Sequence, residues 1–405
     1  MNKYVVAALI ALLSIGFIIG RLTAQFGSKA EPLANNSQEP QLPAPPTPVD
    51  TMSTTTSSSS SPIIASSTTQ PVPIPTATTS TPSVTTKTEP TTTPIPTTPK
   101  PSGLKVMAWI YPSEPGCNAQ PEYRDGRKIQ VLKPEFFTVN GGSLMAFDSS
   151  NSECNGYSPA FVTDLKKYSN EQFVTVSSAS AGDMDTFLAS ALGGGDEIET
   201  LVSFVVDNNL TGIELDFEDF GGWSKTSYSN FRQFVQQLGS ELHAHNKKLM
   251  LDGPAIANQI EQGWFAWRYE DFINLPVDYI VIMAYDYQFD NGTGTPVAPL
   301  DWMRDVITWI SAKYPKDRLV VGIPSYGYEG VVGKRSYIRT YDQLKSKSGF
   351  ATAKRDESSG EMTWQSGKQV YFYQDSESIR QKIAVVKELG ISSISIWHLG
   401  GNQWY

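Results

Sequence analysis

Residues 211–219 run Thr-Gly-Ile-Glu-Leu-Asp-Phe-Glu-Asp, which sets Glu214, Asp216 and Glu218 in strict alternation with Ile213, Leu215 and Phe217. In a β-strand successive side chains point to opposite faces, so the acids share one face and the apolar residues the other. Burying acids in a row is expensive unless they are paired or partly protonated. Such a strand carries chemistry. Its apolar face is expected to pack on helices. Its acidic face is expected to line a barrel and climb to the carboxyl-end mouth, with Glu218 nearest the solvent.

The surrounding sequence supports that expectation. Strand-like runs occupy 105–110, 143–147, 173–177, 212–218, 248–251, 279–283, 319–323 and 392–397. Helical patterns fall between them. Ser158-Pro159 suits an N-cap followed by proline at the first helical position. Apolar stripes run through Ile198, Leu201, Val202 and Val205, then Phe231, Val235, Leu238 and Leu242, and later Ile379, Ile383, Val386 and Leu389 before Gly390. Alternating strands and helices predict an α/β fold, a (β/α)8 TIM barrel with its function at the strand carboxyl ends. The long interval after the seventh strand, with the strand-like run 369–373, predicts a small α+β insertion on the mouth side. Few residues follow Trp397, so the groove between the first and seventh helices is expected to be closed by another element or left partly open.

The net charge of -9 argues against a nucleic-acid partner. With three His and two Cys, neither a metal centre nor another cofactor is expected. His243 and His245 suit an exposed helix end, and His398 falls close to the mouth by position alone. Residues 4–20 are apolar or small, between Lys3 and Arg21, at the short limit of about 17 residues for a membrane span. The segment 1–27 is therefore an anchor, or a signal peptide cleaved near Leu22-Thr23-Ala24. Either exports the rest to the cell surface or beyond. The Ser/Thr/Pro-rich stretch 28–103 cannot bury enough apolar surface to offset ordering entropy, and is expected to be a disordered linker. The barrel is expected over 104–405, acting as a monomer.

The acid row resembles the active-site strand of family 18 glycoside hydrolases, the chitinase-like enzymes, whose signature is Asp-Gly-x-Asp-x-Asp-x-Glu. Here it becomes Thr211-Gly212-x-Glu214-x-Asp216-x-Glu218. Met283-Ala284-Tyr285-Asp286 resembles the family's sixth-strand motif, Gly322-Ile323-Pro324-Ser325-Tyr326-Gly327-Tyr328 its seventh, and the run ending in Trp397 its eighth. The insertion and the ending Trp397-His398-Leu399-Gly400-Gly401 are similar to the branch of spore-cortex and germination hydrolases. At the third strand the chain departs, with Ser177-Ser178-Ala179-Ser180 where Ser-x-Gly-Gly is common.

That resemblance implies catalytic roles for Glu218, Asp216 and Tyr285. Glu218 would be the general acid, its pKa raised by the neighbouring Asp216. Glu214 could share a proton with Asp216, so the row would titrate as a coupled set. In this family the substrate's own 2-acetamido oxygen attacks. Asp216 would orient the acetamido N–H, Tyr285 would hydrogen-bond near its carbonyl, and Trp397 would floor the distorted sugar. Asp286, Met283, Tyr326 and Glu214 complete the expected substrate contacts. Tyr326 and Tyr328 could line the groove or support the insertion, and Trp109, Tyr111 and Phe147 are equally open. The expected substrate is an N-acetylated polysaccharide, peptidoglycan or chitin. The alternative is a non-catalytic carbohydrate binder on the same barrel; such relatives usually lose the acid that Glu218 represents. Cys117 and Cys154 follow the first two strand candidates, in loops leaving the same barrel face. In an exported chain they are expected to form a disulfide.

Overall fold

In the computed structural model the described residues are 103–405, apart from 126 and 149–152. The segment expected as anchor and all but the last residue of the expected linker lie outside them, and among the described residues no helix is long and apolar enough to cross a membrane.

The barrel strands are β1 (Lys105–Ile110), β2 (Val131–Asn140), β4 (Glu171–Ser178), β5 (Gly212–Phe217), β6 (Lys248–Pro254), β7 (Tyr279–Met283), β8 (Leu319–Pro324) and β14 (Ser393–Leu399). They pair in parallel in the order β1-β14-β8-β7-β6-β5-β4-β2, and β2 closes onto β1. The count of eight holds, but the second strand is not 143–147. Those residues include β3 (Ser143–Ala146), which returns antiparallel along β2. Gly141 and Gly142, at φ 59° and 76°, make the tight turn between the two. The reason for the misplacement is local. Lys133, Pro134 and Glu135 interrupt the apolar character of β2, and Pro134 precedes a register shift between Glu135 and Phe137.

Side-chain alternation builds the barrel in layers. Met107, Val131, Phe173, Met250, Val281 and Val320 form a dry floor inside it. One step further along the strands come Lys133, Thr175, Glu214 and Asp252, all buried. Outward-facing Ile213, Leu215 and Phe217 join the main core against the helices. Phe217 meets Phe231 of the helix Lys225–Ala244 with ring centroids 5.8 Å apart. The expected apolar stripes lie on Glu197–Asp207, Lys225–Ala244 and Ser376–Glu388. Ser158 caps the helix Pro159–Tyr168 by accepting from the Phe161 N–H.

The insertion is present between β8 and the helix Ser376–Glu388. Strands β9 (Gly327–Val331), β10 (Ser336–Arg339), β11 (Lys354–Arg355), β12 (Met362–Ser366) and β13 (Gln369–Tyr373) form an antiparallel sheet ordered β10-β9-β13-β12-β11. It has a small core of Leu344, Trp364, Tyr371 and Tyr373. After β14 the chain is held by Glu122, whose carboxylate accepts the Gly400 and Gly401 N–H groups at 2.9 and 2.7 Å. Arg127, paired with Glu122 at 2.9 Å, also lies over the Trp404 ring.

Cys117 and Cys154 are disulfide-bonded, with Cα atoms 5.4 Å apart. The bridge ties the loop after β1 to the segment after β3, both on the mouth side.

Candidate active site

The acid row rises through β5 as its alternation requires. Glu214 is fully buried, and its carboxylate holds the Lys133 ammonium and accepts from the Thr175 hydroxyl at 2.7 Å. A lysine inside the barrel was not anticipated from the sequence, and it changes the electrostatics. Glu214 faces the Lys133 charge across the lumen, and its own negative charge still acts on Asp216 and Asp252. Asp216, 5% exposed, is pushed well above the usual carboxylate range by burial, then by Glu218, Asp252, Glu214 and Glu135. Asp252 at the mouth end of β6 is raised well above its ordinary value too, first by burial and then by Glu214.

Glu218 stands just beyond β5 and opens to solvent, unlike Glu214 and Asp216. Its backbone is pinned: its N–H donates to the Ser178 carbonyl at 2.8 Å, and its carbonyl accepts from Trp223 Nε1 at 2.9 Å. Asp219 turns the chain away in a left-handed conformation, φ 57°, and accepts the Ala181 N–H at 3.1 Å. The protein around the Glu218 carboxyl thins its hydration and, with the charges of Asp286, Glu135 and Asp219, pushes it up to about 7. Glu218 and Asp216 titrate as a coupled pair, and the Glu218 charge raises Asp216.

Across the cleft, Tyr285 and Trp397 lie stacked, centroids 6.2 Å apart. The Tyr285 ring can lie there because β8 offers Gly322. A Cβ at that position would come within 2.7 Å of Tyr285 Cε1 and 2.9 Å of the Ile282 carbonyl. Burial and nearby acids hold the Tyr285 phenol well above its ordinary value, so it keeps its proton. Trp397 is braced edge-on by Tyr326 at 4.7 Å and by Trp109 at 6.0 Å. Asp286 adopts a left-handed backbone, φ 63°, which a non-glycine residue rarely takes. Its Oδ1 accepts from both the Tyr326 and Tyr328 hydroxyls, the latter at 2.8 Å. Burial raises its pKa to about 6 against the lowering effect of those bonds.

The structure thus gathers Asp216, Glu218, Tyr285, Asp286, Met283 and Trp397 around one cleft. Glu214 and Tyr326, expected at the substrate, are each 0% exposed; Glu214 holds Lys133 and Thr175, and Tyr326 holds Asp286. Tyr328 is likewise buried, and both tyrosine hydroxyls are engaged by Asp286. Phe147 is buried in the core, and Tyr111 lies 6.2 Å from the His398 ring. His398 sits behind Trp397, its Nδ1 on the Leu399 carbonyl at 2.7 Å, and burial holds its pKa down to about 4.

Lys133, Glu135 and Asp252 are the members the sequence reading missed. Glu135 accepts from Ser177 at 2.6 Å, and Ser177 is in register with Asp216 on β5. The signal was available. Val131, Lys133 and Glu135 alternate as the acid row does, and Asp252 lies two residues beyond the floor residue Met250.

Residues 122–402 match the profile of Glycosyl hydrolases family 18. The chain is 28% identical over 215 residues to the uncharacterized glycosylase YvbX of Bacillus subtilis (strain 168), covering 51% of this chain and 62% of that protein. It is 23% identical over 220 residues to the cortical fragment-lytic enzyme of the same organism, covering 49% and 50%. The chain therefore spans less than two thirds of these curated relatives. The crystal structure of a chitinase from Chromobacterium violaceum ATCC 12472 superposes with a TM-score of 0.62 at 21% identity, over 74% of this chain and 95% of that one.

Proposed function

From the premise that the chain belongs to glycosyl hydrolases family 18, we propose that this glycoside hydrolase cleaves β-1,4-linked N-acetylhexosamine polymers, peptidoglycan or chitin, with retention of configuration. The observation that carries the proposal is the pairing of Glu218, open to solvent with its pKa raised to about 7, with the buried Asp216 below it. At neutral pH a large fraction of Glu218 holds a proton, as a general acid must.

In this reading Glu218 protonates the departing glycosidic oxygen while the sugar's 2-acetamido oxygen attacks the anomeric carbon from the opposite face. Asp216 accepts the acetamido N–H and so aims the oxygen. The Tyr285 hydroxyl donates to that oxygen, and Asp286, held by Tyr326 and Tyr328, supports the same wall. Trp397 provides the apolar plate beneath the ring. The glutamate left after proton transfer then takes a proton from water, which opens the cyclic intermediate and restores the original anomer.

The apolar run 4–20 and the Ser/Thr/Pro-rich stretch after it support export, with the barrel tethered at or released from the cell surface. Incubating the purified protein with peptidoglycan and chitin oligomers tests the function. Mass analysis of the ends identifies the bond cleaved, and NMR of fresh product gives its anomer. Inverted product, or cleavage of sugars lacking the 2-acetamido group, contradicts the mechanism.

A further inference from the structure

At the end of the barrel opposite the mouth lies a concavity of about 390 Å³ lined by Lys166, Lys247 and Lys248 together with amide and hydroxyl side chains, and by no Asp or Glu. In a chain of net charge -9 this is a local reversal of sign. Lys248 is matched by Glu171 at 3.2 Å, which also takes Lys105 at 2.6 Å. Lys166 and Lys247 have no ion pair among the described residues. Lys166 Nζ donates to the Asn208 carbonyl at 2.5 Å, and Lys247 Nζ to the Leu210 carbonyl at 2.7 Å and Asn209 Oδ1 at 3.3 Å. An ammonium has three donors, so each lysine keeps at least one to spare. The two charges also work against each other, since burial and then Lys166 lower the Lys247 pKa. The walls are preformed: Asn209 and Asn246 follow their helices in left-handed turns, φ 45° and 56°, and both line the cavity.

Two lysines on one concavity whose lining has no carboxylate suit a compact anion with several acceptor oxygens. We propose that this concavity binds a phosphate-bearing anion, either a soluble phosphate polymer or a lipid headgroup. The site is remote from the acid row. In barrels of this type the amino-terminal end of the strands does not carry the chemistry, so binding there goes beyond hydrolysis.

The test titrates the full chain by calorimetry with inorganic phosphate, then with polyphosphate, and by co-sedimentation with phosphatidylglycerol against phosphatidylcholine vesicles. The same series is run on K166Q/K247Q. Phosphate is expected to bind, and the double variant to weaken it about a hundredfold, about tenfold per charge-assisted contact, with hydrolysis unchanged. Tighter binding of polyphosphate identifies a soluble polymer. A preference for phosphatidylglycerol that the variant loses identifies a headgroup. Absence of phosphate binding, or equal binding by the variant, overturns the proposal.

Discussion

The ammonium of Lys133 on β2 closes onto the carboxylate of Glu214 on β5, with the two side chains 1% and 0% exposed. Removing one partner of such a pair leaves a buried charge without compensation, at a cost of about 3–5 kcal/mol. Lys133→Met is therefore expected to destabilise the barrel by that amount in denaturant unfolding, and Glu214→Gln added to it to recover much of the loss. Equal stability of Lys133→Met and the parent would contradict the pairing.

Glu218→Gln keeps the size of the side chain and removes its proton. Hydrolysis of an N-acetylglucosamine oligomer is expected to fall by about 10²–10⁴-fold, with the thermal midpoint little changed because this side chain is the exposed one of the row. Asp216→Asn is also expected to be severe, since an amide cannot ionise to meet the positive charge that develops on the attacking acetamido group. Near-parental turnover by either purified variant excludes its assigned role.

Glu135 supplies part of the field that raises Glu218 to about 7, after the thinned hydration of its carboxyl and the charge of Asp286. A general acid fails as pH rises through its pKa, so the alkaline limb of the rate profile reports Glu218. Glu135→Gln takes away a neighbouring negative charge, lowers the Glu218 pKa and moves that limb to lower pH. A limb that stays in place, or moves upward, shows that Glu135 does not act on Glu218 through its charge.

The Cys117–Cys154 bridge closes a loop with a sequence separation of 37 residues. Cys117→Ser/Cys154→Ser is expected to cost about 2–4 kcal/mol in unfolding measurements. The loss of stability should precede any loss of turnover, because neither cysteine belongs to the cleft. A variant as stable as the parent in the oxidised state would mean the two loops are held by other contacts.

Much of this architecture was legible because one period served two purposes. The alternation of Glu214, Asp216 and Glu218 with Ile213, Leu215 and Phe217 defines both the strand and its lumen face. The same rule, applied to Val131, Lys133 and Glu135, would have found β2, but charged residues and Pro134 there resemble a loop until their partners are known. The buried lysine is stable only because Glu214 lies across the lumen, a contact between residues 81 positions apart. Tyr326 and Tyr328 posed a different difficulty. An aromatic residue at a strand end suits a groove as well as a brace, and only the position of Asp286 decides between them.

Above the ordinary aspartate range, folding of this barrel takes up protons. Asp216 and Asp252 are raised well above their ordinary values, and Asp286 to about 6, whereas an unfolded aspartate titrates near about 3.9. Between those values the folded chain keeps protons that the unfolded chain has released, so stability declines as pH rises through that window. Glu171, Glu329 and Asp375 act in the opposite sense. Their ion pairs hold them low against the cost of burial, and their contribution is lost only as pH falls below the ordinary carboxylate range. The thermal midpoint is therefore expected to peak on the acid side of neutrality and to fall towards pH 7 and above. A protein that keeps an acid protonated in neutral medium is, for the same reason, one that unfolds more readily as the medium turns alkaline.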